Sequence, residues 1–330
     1  MTKENSNSFE PFGIPVWQLK QKLNEAGIET SIEDGALIAN LPESSQLPDY
    51  EVRIEVLPGA PIYSSSKPIK GVLKVSAVAP AVVQGAFKGR ELSNLSYANT
   101  FSAYGSVFLE HGLVKFGACM SVFEEDGSDI WETVYLPLLV SAVRYGMHGI
   151  LYGVGNTSRR KLESIDDSKS SRWSESDFRL LSEEFKERFA CSFGSSGLSL
   201  EIPIARGAIS ASLGHKDTAL LRMMTGRPHP ALGFGVLCVL NIPIQISDED
   251  SLGKSCFYLN IKQMEPNELP PHFGAWSPGI GGTPTYISFL HNSLYEIPGL
   301  TRHFTEWAAT RAEWATEVLS GIGKKSDSES

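Results

Sequence analysis

Residues 113–151 read LVKFGACMSVFEEDGSDIWETVYLPLLVSAVRYGMHGIL. The first third predicts a half-buried strand, because large apolar side chains take every second place in it. Asp126-Gly127 follows within an acidic cluster, and this dipeptide readily takes the positive φ angles of a hairpin turn. We therefore predict a second strand over residues 130–136 and a helix from Pro137, since proline suits the first turn of a helix. The alternating residues of the first strand are Val114, Phe116, Ala118, Met120 and Val122.

The length of 330 residues exceeds the usual size of a single core and favours two domains. Residues 156–172 are charged and rich in serine, which indicates an exposed linker. The predicted organisation is a disordered arm at residues 1–11, an N-terminal α/β domain at 12–155, the linker at 156–172, a C-terminal α/β domain at 173–320 and a disordered tail at 321–330.

An internal repeat relates the two halves. Val16, Leu19 and Leu23 match Phe178, Leu181 and Phe185 at one constant offset, and the later proline pair Pro137 and Pro298 matches one residue closer. We predict an α+β fold class in which each domain holds an antiparallel sheet against helices, in the order helix, three strands, helix, two strands, helix.

The second half departs from this order in the predicted elements. Apolar runs favour a short helix over Thr218–Thr225 and strands over Phe257–Ile261 and Tyr286–Leu290. The segment Glu265–Pro284, rich in proline and glycine, would then be an insertion between two strands.

The element order resembles the type III secretion chaperone-like α/β fold, which secretion chaperones share with the YbjN-type sensory-transduction regulators. Ala98-Asn99 before two strands, and Leu113–Leu151 as the closing unit, make the first half the better match. The resemblance implies that the domains bind polypeptide segments or self-associate through helix and sheet surfaces. It implies no catalytic residue.

Charge and composition exclude several classes of function. The chain carries 29 basic and 38 acidic residues, and a net charge of −9 disfavours binding to nucleic acid or to an anionic membrane. No apolar run is long enough for a membrane span without a proline or glycine, and residues 1–10 lack the pattern of a signal peptide. Four dispersed cysteines fit reduced core thiols, so we expect a cytoplasmic protein of a bacterium.

The sequence offers no specific catalytic, metal or cofactor motif. None of the seven histidines has metal-ligand spacing, and Gly253-Lys254-Ser255 lacks the first glycine of a phosphate loop. We therefore predict no cofactor and no catalytic residue. An enzyme or small-molecule site in a cleft between the domains remains an alternative, with His272, Glu265 and Arg302 as residues that would converge there.

Two aromatic segments are candidate partner-binding sites. Leu269, His272, Phe273 and Trp276 lie in the Glu265–Pro284 segment, where they either cover the sheet or anchor a partner. In the last predicted helix Trp307 and Trp314 lie seven residues apart on one face, which fits either the core or a helix seam in a homodimer.

The function hypothesis is a non-enzymatic protein that binds a protein or peptide segment, as a chaperone, adaptor or regulatory module. An enzyme with an inter-domain cleft and a structural subunit of an assembly are the two alternatives.

Overall fold

A computed structural model describes residues 16–25, 27–41, 50–58, 69–81, 83–84, 99, 105–124, 126, 130–153, 168–204, 218–230, 232–265 and 274–327. Residues 1–11, predicted as an arm, and residues 156–167 of the predicted linker lie outside this part of the chain.

The first half contains two long helices and six strands within its described residues. In chain order these are α1 (Val16–Glu25), β1 (Thr30–Glu33), β2 (Ala36–Leu41), β3 (Tyr50–Pro58), β4 (Ile69–Val78), β5 (Ser106–Glu110), β6 (Leu113–Phe123), a π-helical turn (Trp131–Tyr135) and α2 (Leu136–Gly153).

The second half contains three long helices and six strands within its described residues. They are α3 (Glu175–Phe185), β7 (Ala190–Gly194), β8 (Gly197–Pro203), β9 (Thr218–Met224), β10 (Gly235–Asn241), α4 (Glu249–Lys262), β11 (Gly274–Pro278), β12 (Pro284–His291), a 3-10 turn (Asn292–Leu294) and α5 (Leu300–Asp327).

Both sheets are six-stranded and antiparallel, and their topologies are the same. The first has the order β1-β2-β3-β4-β6-β5, and the second has β7-β8-β9-β10-β12-β11 when read from its own first strand. The predicted α+β class and the repeat of one sheet-and-helix unit are therefore confirmed. Each unit places four strands, not three, before the last pair.

Local turn chemistry explains two of the hairpins. Asp34 and Gly35 have φ angles of 47° and 75°, and His111 and Gly112 have φ angles of 51° and 77°. Two consecutive positive φ angles characterise the type I′ turn, whose twist matches that of the strands that it joins. The sequence predicts both turns, because Asp34-Gly35 lies between two strand-like segments and His111-Gly112 follows another.

The predicted strand over residues 130–136 is wrong. Residues 130–136 are helical, and Trp131 and Tyr135 are buried one turn apart on the face that α2 continues. The Asp126 carboxylate accepts the Phe123 N–H at 2.9 Å and the Tyr135 hydroxyl at 2.9 Å, which connects the end of β6 to the π-helical turn. Strand β6 pairs with β4 and β5 instead.

Two predictions in the second half are also wrong. Thr218–Met224 is a strand, since Ala219, Leu221 and Met223 are buried on alternate places. Phe257–Ile261 belongs to α4, whose N-terminus is capped by the Asp248 carboxylate accepting the Ser251 N–H at 2.8 Å.

The segment Glu265–Pro284 is not an unstructured insertion. It contains β11, which pairs with β12 from Gly274 to Pro278. The true order of the second unit is therefore closer to that of the first than the sequence suggested.

Helix α2 is the centre of the first unit. It packs against β4 and β6, where Leu139, Val143 and Met147 are almost fully buried. Judged by length and composition alone, the helical segment Thr133–Leu151 is long and apolar enough to cross a membrane. We had expected no segment to meet this criterion. Most of that segment is buried inside the fold, as in a core helix.

The ends of the second unit differ from the predicted boundaries. Asn292 accepts the Arg172 N–H at 2.9 Å and donates to the Ser170 carbonyl at 3.0 Å, so the last residues of the predicted linker pack on the second unit. Helix α5 continues to Asp327, beyond residue 321, at which we placed the start of the tail.

Candidate functional site

The two units meet along their inner edge strands. Strand β5 ends the first sheet, β11 ends the second, and β5 lies beside both β11 and α4. Ring contacts add to this junction: Phe123 meets His303 of α5 with centroids 4.5 Å apart, and Tyr145 of α2 meets His229 at 4.9 Å. Apolar residues of both units form one core cluster.

A buried amide completes the edge of β11. The Asn260 side chain, on α4, donates to the Trp276 carbonyl at 2.8 Å and accepts the Trp276 N–H at 2.8 Å. It also accepts from the Gln263 amide at 3.0 Å. These bonds satisfy backbone groups that would otherwise need a further strand.

Asn99 lies 161 positions before Asn260. Its side chain binds a backbone group of the edge strand in the first unit and also links that unit to the second. Its side-chain oxygen accepts the Val107 N–H of β5 at 2.8 Å, and its nitrogen donates to the Trp276 carbonyl at 3.3 Å. Both asparagines are fully buried. The repeat thus places equivalent amides at equivalent edges, and one of them bridges the junction.

A buried guanidinium extends this network. Arg311 of α5 is fully buried, donates to the Gln263 side-chain oxygen at 2.8 Å, and lies over the ring of Tyr286 at 4.3 Å and that of Trp307 at 5.3 Å. Stacking on two aromatic faces offsets part of the cost of removing this charge from water.

A second charged cluster lies on the face of the first sheet that does not carry α2. Lys74 forms ion pairs with Glu55 at 3.3 Å and with Glu110 at 3.5 Å, and Glu110 also pairs with Lys115. Burial alone would lower the pKa of the Lys74 ammonium, but Glu55, Cys119 and Glu110 together raise it above its ordinary value. This lysine is therefore a charged structural group and not a base at neutral pH.

The thiols are equally unsuited to nucleophilic chemistry. Burial raises the pKa of Cys119 and that of Cys256 to about 12, and it raises the pKa of Cys238 as well. A thiol in this state is protonated at neutral pH and does not act as a nucleophile. Among the described residues no group of three or more His, Cys, Asp or Glu side chains is arranged to hold a metal ion.

The aromatic residues predicted to bind a partner lie in the core where the structure describes them. Trp276 is fully buried between Tyr286, at 5.3 Å between ring centroids, and Trp314, at 6.5 Å. Trp307 is 4% exposed, and Trp314 is half-buried. Leu269, His272 and Phe273 lie outside the described residues. The three tryptophans therefore pack in or against the core, which was one of the two alternatives for these residues.

The two described residues of the inter-domain cleft alternative, Arg302 and Glu265, form separate ion pairs and do not converge on one site. Arg302 pairs with Glu184 at 2.7 Å and with Glu306 at 3.5 Å, whereas Glu265 pairs with Lys262 on another helix. His272 lies outside the described part of the chain.

One apolar gap lies between α5 and the second sheet. Its walls leave no room for a water molecule, so it is too narrow to serve as a ligand site. The gap is packing space lined by Leu221, Cys238, Leu240, Tyr286, Phe304, Trp307, Ala308 and Arg311.

The outer edges of the two sheets carry exposed apolar side chains at equivalent places. Ile32 of β1 and Phe193 of β7 are each 41% exposed, and they lie 161 positions apart. Ile32 is opposite Leu37, and Phe193 is opposite Leu198, both of which are buried. Each exposed residue therefore extends the apolar face of its sheet out to the edge.

The backbone at these positions also faces outward. The Glu29 carbonyl accepts the Asn40 N–H at 3.1 Å, which makes Glu29 and Asn40 a hydrogen-bonded pair. Such pairs alternate along an antiparallel ladder, so Thr30 and Ile32 direct their N–H and C=O groups away from β2. Among the described residues β1 pairs only with β2, and β7 only with β8.

Sequence reasoning missed this site. Alternation shows which residues share a face, but it does not show which strand ends a sheet. The repeat offset of 161 positions, which pairs Ile32 with Phe193, was the sequence signal that could have indicated the site.

Comparison of the chain with protein-family models, with curated proteins and with solved structures gives no match. The molecule is thus defined by its architecture, a tandem α+β protein of two like sheet-and-helix units, and its function must be inferred from its surfaces.

Proposed function

We propose that this chain is a non-enzymatic polypeptide-binding protein, acting as a chaperone, adaptor or regulatory module. The observation that carries the proposal is the pair of outer edges, each with an exposed apolar side chain beside outward-facing backbone groups. An exposed sheet edge binds an extended polypeptide by main-chain hydrogen bonds, while pockets beside it select alternate side chains.

The interior supports the same proposal. Several of its buried polar groups bind to each other or to the backbone, as in the Asn260, Gln263 and Arg311 network. Groups that are committed to the fold in this way are poor candidates for catalysis. Binding at the surface leaves these contacts intact.

The proposal places the chain in the cytoplasm. The four cysteines are free, and reduced thiols persist in that compartment.

Binding to a permanently unfolded polypeptide tests the proposal. The probe is fluorescein-labelled lysozyme whose cysteines have been reduced and carboxamidomethylated, and the measurement is fluorescence anisotropy against increasing concentrations of the full chain. We expect saturable binding to this probe and none to labelled native lysozyme, which presents no extended segments. Equal binding to both forms, or binding to neither, would contradict the proposal.

A further inference from the structure

We infer that the outer edge of β1 binds an extended basic segment of a partner protein, which adds to the first sheet as a seventh strand. This inference rests on the proposed function and assigns it a site and a partner chemistry.

The geometry of β1 suits strand addition. Thr30 and Ile32 present their backbone groups outward, and Ile32 lies on the same face as the buried Leu37. An added strand would therefore gain main-chain hydrogen bonds and cover an apolar side chain that is now 41% exposed.

The charge around β1 selects a basic partner. Residues 24–35 contain four acidic side chains and no lysine or arginine. Two of these carboxylates accept hydrogen bonds from neutral groups, Glu25 from Gln21 at 2.8 Å and Glu33 from Ser31 at 3.0 Å. On β3 the guanidinium of Arg53, a residue opposite Ile38 of β2, is paired with Glu55 at 3.1 Å. The acidic residues are Glu25, Glu29, Glu33 and Asp34.

The same charges argue against a second copy of this chain as the occupant. Pairing of two β1 edges would bring like carboxylates together, and like charges opposite one another destabilise a strand pair. A segment that alternates basic and apolar residues meets attraction at the same places.

The β7 edge provides a matched comparison within the molecule. Phe193 is as exposed as Ile32, but residues 183–197 carry three acidic side chains against two basic ones. Lys186 pairs with Glu183 at 2.5 Å, and Arg188 lies over the Phe189 ring at 5.1 Å. This edge has apolar character without the acidic excess of β1.

The experiment measures the anisotropy of a fluorescein-labelled octapeptide of alternating lysine and valine with the full chain. The variants are Ile32→Ser and the matched control Phe193→Ser, each checked for an unchanged thermal midpoint. We expect Ile32→Ser to weaken binding about tenfold, because it removes one apolar contact, and Phe193→Ser to leave it unchanged. Methylation of alternate peptide nitrogens should abolish binding, since it removes main-chain donors. Glutamate in place of lysine should also abolish it.

Equal effects of the two serine variants, undiminished binding of the methylated peptide, or no binding of the lysine-valine peptide would overturn the inference. The unfolded-lysozyme assay separates the two proposals. If the chain binds unfolded lysozyme but not the octapeptide, the β1 assignment fails and polypeptide binding stands. If it binds neither, both fail.

Discussion

At the scale of single residues, the junction depends on amide side chains that replace a neighbouring strand. Asn260 satisfies both backbone groups of Trp276, and Asn99 adds a bond to the same carbonyl from the other unit. A buried backbone group that loses its partner costs more than the lost bond is worth, because it cannot turn to water. These two side chains therefore matter more to stability than their size suggests.

Replacement of Asn260 by alanine tests this role. We expect Asn260→Ala to lower the free energy of unfolding by about 2–4 kcal/mol, because the Trp276 N–H and the Gln263 amide lose their partner. Asn40→Ala, at an exposed position of β2, is the control and should change it by less than about 0.5 kcal/mol. Urea unfolding measures both. Similar small effects of the two substitutions would show that the amide is dispensable.

Asp177 at the start of α3 makes stability depend on pH. Burial alone would raise the pKa of its carboxyl, but hydrogen bonds from the Ser174 hydroxyl and N–H, both at 2.7 Å, and from the Tyr295 hydroxyl at 3.2 Å hold it below its ordinary value. Because the unfolded chain takes up this proton at a higher pH than the folded chain, the stabilisation is present above about pH 4 and is lost as the pH falls further.

We therefore expect Asp177→Asn to lower the thermal midpoint at neutral pH and to flatten its decline below about pH 4. Glu175→Gln, at the same helix end, leaves the bonds to Ser174 intact and serves as the control. Thermal unfolding followed by circular dichroism across this range measures both. An unchanged acid dependence in the asparagine variant would contradict the assignment.

At the scale of elements, two hairpin positions require glycine for different structural reasons. Gly112 has a φ of +77° and open space around its α-carbon. Gly197 has a φ of +142°, and a β-carbon there would lie 1.8 Å from the Met223 carbonyl oxygen of β9. The first needs only a left-handed conformation, whereas the second is required by close strand packing.

This contrast predicts opposite outcomes for substitution. Gly112→Asn should change the free energy of unfolding by no more than about 1 kcal/mol, since asparagine tolerates the left-handed region. Gly197→Ala should cost about 3 kcal/mol or more, because both the backbone and β9 must move. Equal losses in urea unfolding would mean that the conformation alone, and not the close approach, determines both positions.

The elements that sequence predicted correctly are those that local chemistry determines. The Asp34-Gly35 and His111-Gly112 turns are each defined by two adjacent residues. The predictions made from short apolar runs were wrong because either a helix or a strand can bury such a run. Thr218–Met224 and Phe257–Ile261 take opposite structures to those predicted, and the sheet around them decides which.

Trp276 shows why the sequence left both the core and the partner-binding alternatives open. Trp276 looked exposed because glycine and proline surround it in the sequence, yet β12 and Asn260 bury it. Its partners lie ten and sixteen residues away and belong to different elements. Conversely, Ile32 looked like an ordinary strand residue, and only the strand order shows that it lies on an edge.

At the scale of the whole molecule, the repeat produces one folded body from two like units. Each unit turns an inner edge toward the other and leaves an outer edge outward. The inner edges are joined by Asn99, and ring contacts of Phe123 with His303 and of Tyr145 with His229 extend the contact. Because the apolar core is continuous across both units, their stabilities should be coupled.

Cleavage of the chain between the units tests this coupling. Cleavage at a specific protease site inserted within residues 156–167 of the predicted linker would separate the units covalently. We expect the cleaved fragments to co-elute at the mass of the intact chain in gel filtration, because buried contacts such as that of Asn99 with Trp276 hold them together. Asn99→Ala should promote dissociation after cleavage, while Asn40→Ala should not. If the cleaved wild-type fragments elute separately under native conditions, the two units are independent domains. In that case the outer edges would belong to two separate binding modules that the linker merely joins.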